Sequence, residues 1–244
     1  AAGRLPMRTG FLAAPDLEGA AAAEPPWRFD LDGHWHFHLF DRPEDVPAGV
    51  AEPDHDDRGW RDIDVPGCWP LQGRDRPHYT NVRMPFPGEP PEVPAANPTG
   101  VFRKKVRLPA GWHRRRVVLH VGGAESVVIA YVNGHCLGFA KDSRLPSEFD
   151  ASAVVRPGYN CITLLVIRWS DASWLEDQDH WWLAGLHRPV FFYTTAPTHL
   201  ADVQVEADWE DGTGHLAVRA RVGGPLTPGW RVRAQLLGPG GGRA

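Results

Sequence analysis

Four acids and four indoles crowd into one stretch of the chain, Ile167 to Trp182, which reads IRWSDASWLEDQDHWW. The acids are Asp171, Glu176, Asp177 and Asp179, and the indoles are four of the chain's eleven tryptophans. Carboxylates are seldom buried unless they are hydrogen-bonded or bound to a cation. Flat indole faces beside acceptor oxygens suit a sugar, which offers CH-rich faces for stacking and a rim of hydroxyl donors. The same composition also fits tryptophans in a core and acids in a solvated loop, so residue types alone leave both readings open. Acids this close in sequence are badly placed to flank a scissile bond, which argues against a glycosidase acid/base pair among them. A second cluster, His34, His36 and His38, falls on one face of a strand and could meet a transition metal. No acid or cysteine is placed to complete that site, and half-exposed strands often carry histidine.

The elements that position these residues read as β-structure. Cys161 to Ile167 is an almost unbroken apolar run with a β-branched bias, which predicts a buried strand leading into the acidic stretch. His34 to Phe40 alternates, so Trp35, Phe37 and Leu39 face one way and the histidines the other. Further strands are predicted at 27–31, 60–65, 101–108, 117–121, 126–132, 135–140 and 188–194. Asn133-Gly134 is a strong two-residue hairpin turn. From Pro77 to Pro98, both included, stand seven prolines, which remove backbone donors and exclude both a helix and a central strand. His78, Tyr79 and Phe86 within that loop argue for order, and 141–150 (KDSRLPSEFD) reads as a polar loop braced by its own Asp142, Arg144 and Glu148. Asp171, Glu176 and Asp177 read as caps and braces of the 169–182 turn.

Eight or nine short strands with almost no helical periodicity predict an all-β fold, a jelly-roll (galactose-binding-like) β-sandwich over 27–195. Residues 1–26, rich in Ala, Gly and Pro, read as a loosely ordered leader. Beyond 195, three alternating strands (201–209, 214–222 and 230–237) precede GPGGGRA. Three strands cannot build an immunoglobulin-like sandwich of about seven. Residues 196–244 therefore read as the first strands of a truncated immunoglobulin-like domain.

A net charge of −4 over 244 residues, with no concentrated basic face, argues against a nucleic-acid partner. No apolar run reaches membrane-spanning length, and AAGRLPMRTGFLAAPD has no signal-peptide core. Cys68, Cys136 and Cys161 are odd in number and lack metal-ligand spacing. They read as reduced, buried thiols, which favours the cytoplasm.

Several long stretches resemble the N-terminal part of the large bacterial β-galactosidases of glycoside hydrolase family 2. They are LDGHWHFHLF (31–40), VPGCWPLQGRDRPHYTNVRMPFPGEPPEVPAANPTG (65–100), NGHCLGFAKDSRLPSEFD (133–150) and RWSDASWLEDQDHWWLAGLHRPV (168–190). The ordered motifs YTNV, NPTG, SRLP-EFD and LEDQD are far more specific than any short signature. His187 and Pro189 depart from the family pattern, at positions where an aromatic and an acid are usual.

The resemblance implies a sugar-binding jelly-roll, then an immunoglobulin-like domain, then a TIM barrel carrying both catalytic glutamates of a retaining mechanism. Those carboxylates stand about 5 to 5.5 Å apart in such enzymes, and neither is implied for this chain, which by itself should turn nothing over. Carried over by motif, Asn81 of YTNV binds galactosyl hydroxyls, Val82 lines the pocket beside it, and Asp179 of LEDQD contacts the sugar and ligates sodium. Magnesium is implied for the full-length enzyme, with its main ligands outside this chain. The implied partners are a terminal β-D-galactoside such as lactose, the remaining domains of the same polypeptide, and further copies in a homo-oligomer. Rival readings are a stand-alone carbohydrate-binding module, another family 2 enzyme such as a β-glucuronidase, and a purely structural assembly domain.

Overall fold

The computed structural model describes residues 2–176, 179–236 and 238 of the chain. Strands are named in chain order, beginning with β1 (Arg28–Asp30), β2 (Gly33–Phe40), β3 (Arg61–Val65), β4 (Gly67–Cys68), β5 (His78–Thr80) and β6 (Thr99–Arg107). Next come β7 (Arg116–Val121), β8 (Val127–Val132), β9 (His135–Lys141), β10 (Ser147–Asp150) and β11 (Tyr159–Ile167). The rest are β12 (His180–Trp182), β13 (Gly185–Leu186), β14 (Val190–Thr195), β15 (His199–Glu210) and β16 (Thr213–Gly223). Among the described residues helix is confined to short turns such as α1 (Leu17–Ala21) and α2 (Ser173–Glu176).

Two antiparallel sheets form the sandwich. One has four strands in the order β1-β14-β7-β10, the other six in the order β3-β2-β6-β11-β8-β9. Alternation along each strand fills the space between them. Trp35, Phe37, Phe102, Ile162 and Leu164 from the larger sheet meet Leu119, Phe149, Val190 and Phe192 from the smaller. Gly100 is where β6 passes beneath the rings of Phe37 and Trp69. A Cβ there would stand 2.7 Å from one and 2.8 Å from the other. At the β8–β9 turn Asn133 and Gly134 both adopt positive φ, 52° and 83°, as the predicted hairpin requires.

β11 reads as a continuous apolar run because both its faces are covered. Leu165 on its outer face packs with Val101 and Val50. The covering loop is held by Arg103, which is almost fully buried and binds Asp57 at 2.9 Å, the carbonyl of Glu52 at 2.9 Å and Thr163 at 3.1 Å, and also the carbonyl of Val50.

Three expectations are corrected. Within the expected loose leader, residues 2–12 are packed against the sandwich. The Phe139 amide donates to the carbonyl of Ala2, and the Leu5 amide donates to that of Glu148, so the segment straps the edge strands β9 and β10 together. Leu5 and Leu12 then cover Val118, Phe191 and Tyr193 on the outer face of the smaller sheet. Second, 147–150 is a strand, not loop: β10 pairs with β7, and Phe149 enters the core. Four residues are too few for alternation to announce a strand. Third, the described residues from 230 onward form no strand, and Trp230, Val232 and Leu236 are exposed. Only β15 and β16 pair beyond the sandwich, and among the described residues no further strand lies beside them to extend the ladder.

Candidate functional site

The acidic stretch is delivered by β11, as expected, but its shape is decided elsewhere. Trp169 follows the strand and is clamped by Asn97 of NPTG. The Asn97 amide donates to the Trp169 carbonyl, and its oxygen accepts from the Trp169 amide, each at 2.9 Å. Trp169 then meets Trp182 edge-on at 5.3 Å and Phe86 at 5.1 Å, and Phe86 meets Trp174 at 5.4 Å. The Trp174 indole donates to the Glu92 carbonyl at 2.8 Å. These rings pin the proline-rich loop onto the turn. Arg168 completes the anchor, binding Asp75 at 2.5 Å and the Trp182 carbonyl at 2.9 Å.

That anchoring brings β5 beside β12 as a separate antiparallel pair, with Thr80 opposite His180 and Tyr79 opposite Trp181. One residue beyond, the Asp179 amide donates to the Asn81 carbonyl at 3.1 Å. Asn81 and Asp179 are therefore neighbours, both exposed, although each comes from a different loop. Asp179 holds a positive φ of 53°, a conformation that aspartate tolerates better than most residues. The Tyr79 hydroxyl donates to Asp179 Oδ1 at 2.6 Å, and this bond raises the tyrosine pKa above its ordinary value. Val82 is 81 % exposed, so it stands on an open rim. Tyr79 and Trp181, with ring centroids 5.6 Å apart, are also exposed and give this rim an aromatic wall.

The other acids divide by partner. Asp171 accepts from Lys141 at 2.7 Å, and Glu176 takes the Ser143 hydroxyl at 2.6 Å, so both brace the turn against the 141–143 loop. Asp177 lies outside the described residues. Asp142 caps that loop through the Arg144 and Leu145 amides, but Arg144 and Glu148 do not close it internally. Arg144 reaches Glu125 at 3.1 Å and His180 at 3.2 Å. Glu148 binds Arg8, His120 and Tyr193. Their partners lie far away in sequence, and no local spacing points to them.

His34 meets Asp64 at 2.7 Å, and His36 lies 3.4 Å from Asp57. Among the described residues no group of three His, Cys, Asp or Glu side chains is placed to hold a metal. The thiols differ from expectation too, since only Cys161 is buried while Cys68 is half-buried and Cys136 exposed. His187 is tucked against Gly123, and burial together with the charges of Arg144 and Arg188 lowers its pKa to about 4. No helix among the described residues is long and apolar enough to cross a membrane.

Residues 29–196 match the family described as glycosyl hydrolases family 2, sugar binding domain. The chain belongs to that family. Family 2 relatives include a β-galactosidase of Psychromonas ingrahamii, 44% identical over 188 residues, covering 77% of this chain and 18% of the relative. A β-galactosidase of Pectobacterium atrosepticum is 39% identical over 241 residues, covering 96% of this chain and 23% of the relative. The chain thus spans about a fifth of the length of the curated relatives it matches. In fold it is similar to a β-glycosidase from Bacteroides vulgatus, with a TM-score of 0.64 at 18% identity over 89% of this chain and 27% of that one. An uncultured Clostridium β-glucuronidase gives a TM-score of 0.63 at 19% identity, covering 88% of this chain and 36% of that one. Asn81 of YTNV and Asp179 of LEDQD thus meet at one rim, beside the pairing of β5 with β12.

Proposed function

We propose that the chain is the sugar-binding N-terminal portion of a retaining β-galactosidase that hydrolyses terminal non-reducing β-D-galactose residues, lactose among them. The observation that carries this reading is the main-chain hydrogen bond from the Asp179 N–H to the Asn81 carbonyl, which brings these two residues, one with an amide side chain and one with a carboxylate, to one exposed rim. An amide can both donate to and accept from a sugar hydroxyl, and a carboxylate accepts. In this reading Asn81 and Asp179 bind galactosyl hydroxyls, and Val82 borders them. Asp179 also gives an oxygen to a sodium ion. A hard cation takes oxygen ligands, and an exposed carboxylate beside a phenol and an amide is such a donor set, to be completed by groups elsewhere in the polypeptide. Magnesium serves the full-length enzyme through ligands outside this chain. Residues 27–195 act as the sugar-binding domain, and 196–244 open an immunoglobulin-like one. The catalytic glutamates belong to a barrel further along a cytoplasmic, homo-oligomeric polypeptide.

The test is the full-length gene product, assayed on a chromogenic β-galactoside and on the matching β-glucuronide, in sodium and in potassium. Expected is sodium-dependent galactoside turnover that falls about 10- to 100-fold on Asn81→Ala or Asp179→Ala, the range for losing a hydrogen bond to a charged or developing-charge group. Unchanged kinetics in both variants would leave a structural assembly domain, and preference for the glucuronide would reassign the substrate. A second reading, a stand-alone carbohydrate-binding module, draws on the exposed Tyr79–Trp181 pair. Saturable galactose binding by residues 1–244 alone would support it.

A further inference from the structure

We infer that Tyr79 is a positioning residue for Asp179, its hydroxyl occupying Oδ1 so that the other carboxylate oxygen is presented to the cation and the sugar. The inference rests on the role proposed for Asp179 and extends it to a residue outside the assigned contacts. Tyr79 and Asp179 are 100 positions apart and are joined at 2.6 Å. An ionised carboxylate is acceptor-only, so the phenol must donate, and an O–H···O⁻ bond of this length belongs to the strong, charge-assisted class.

The main chain on either side leaves little freedom. Tyr79 faces Trp181 across the β5–β12 ladder, and the Asp179 amide is committed to the Asn81 carbonyl. Asp179 sits at φ 53°, where the backbone is narrowly defined, so the side chain leaves from a fixed base. What remains is rotation of the side chain about its own bonds, and the Tyr79 hydroxyl restrains that rotation. Both partners are exposed. A hydrogen bond in that setting contributes little to folding, so its consequence lies in orientation.

The experiment is a double-mutant cycle in the full-length enzyme with Tyr79→Phe, Asp179→Ala and the combined variant, measuring sodium affinity by equilibrium titration without substrate and galactoside kinetics against sodium concentration. Tyr79→Phe keeps the ring beside Trp181 and removes only the hydroxyl. The expected result is a two- to tenfold weaker apparent affinity for sodium, the size of one net hydrogen bond, with kcat restored at saturating sodium. In the Asp179→Ala background the same change should have no further effect. Should Asp179→Ala alter the sodium dependence while Tyr79→Phe does not, the inference is overturned and the role of Asp179 stands. Should Asp179→Ala itself leave the sodium dependence unchanged, the role of Asp179 fails first and this inference falls with it. Thermal unfolding of Tyr79→Phe serves as the check on folding, and Tyr79→Trp, which lacks a hydroxyl but retains a large ring, should repeat the sodium shift.

Discussion

Replacing Glu148 by glutamine removes the charge to which the N-terminal strap is fastened. Glu148 stands on β10 beneath residues 2–12, its side chain only 11% exposed. Both its oxygens are engaged by Arg8 at 2.9 Å, with His120 and the Tyr193 hydroxyl each at 3.0 Å. Burial by itself would push this carboxyl up, but the hydrogen bonds from His120 and Arg8 and their charges outweigh it and hold the pKa down at about 2, against an ordinary 4.5. A carboxyl lowered that far contributes roughly 3 kcal/mol of stability at neutral pH. Because the folded group titrates below the unfolded one, this contribution is complete above pH 4.5 and is lost as pH falls towards 2. Glu148→Gln should therefore cost about 3 kcal/mol at pH 7, or roughly 6–12 °C in Tm for a chain of this size. It should also flatten the acid limb of the stability curve. Urea titrations of both proteins between pH 2 and pH 7 measure this directly. A loss below about 1 kcal/mol, with the acid limb unchanged, would refute the ion-pair argument and leave strap attachment to the packing of Leu5 and Leu12.

Two further perturbations address the other anchors. Asn97→Ala should destabilise the chain by about 2–3 kcal/mol, since it strands the buried amide and carbonyl of Trp169; thermal unfolding with tryptophan fluorescence reads both the loss and the loosened turn. Titration with a thiol reagent at pH 8 should modify Cys136 first. Cys161, buried, and Cys68, whose thiol burial and Glu125 push up to about 11, should react only once the chain unfolds.

What local sequence could carry, it carried well. The sandwich strands are legible because burial of one face forces alternation at Trp35, Phe37 and Leu39, and burial of both faces gives a solid apolar run in β11. The Asn133-Gly134 hairpin was readable because few other residues accept two successive positive φ values. The weakest reading was of segments whose order depends on a distant surface. The strap has no periodicity of its own and becomes ordered because Leu5 and Leu12 find the outer face of the smaller sheet. The third strand expected after residue 195 does not form among the described residues, where Trp230, Val232 and Leu236 find no surface to cover their apolar side chains and stay exposed.

The candidate site divides in the same way. The sequence by itself determined that the chain is built of β-sheets, and its resemblance to family 2 singled out Asn81 and Asp179 as candidates to meet a sugar. Only the tertiary structure decided that those two residues share a rim, that Asn97 clamps Trp169, and that Tyr79 reaches Asp179 across 100 positions. Periodicity reports which face of an element is buried. Which two elements pair, and in what register, depends on long-range packing that no local spacing records.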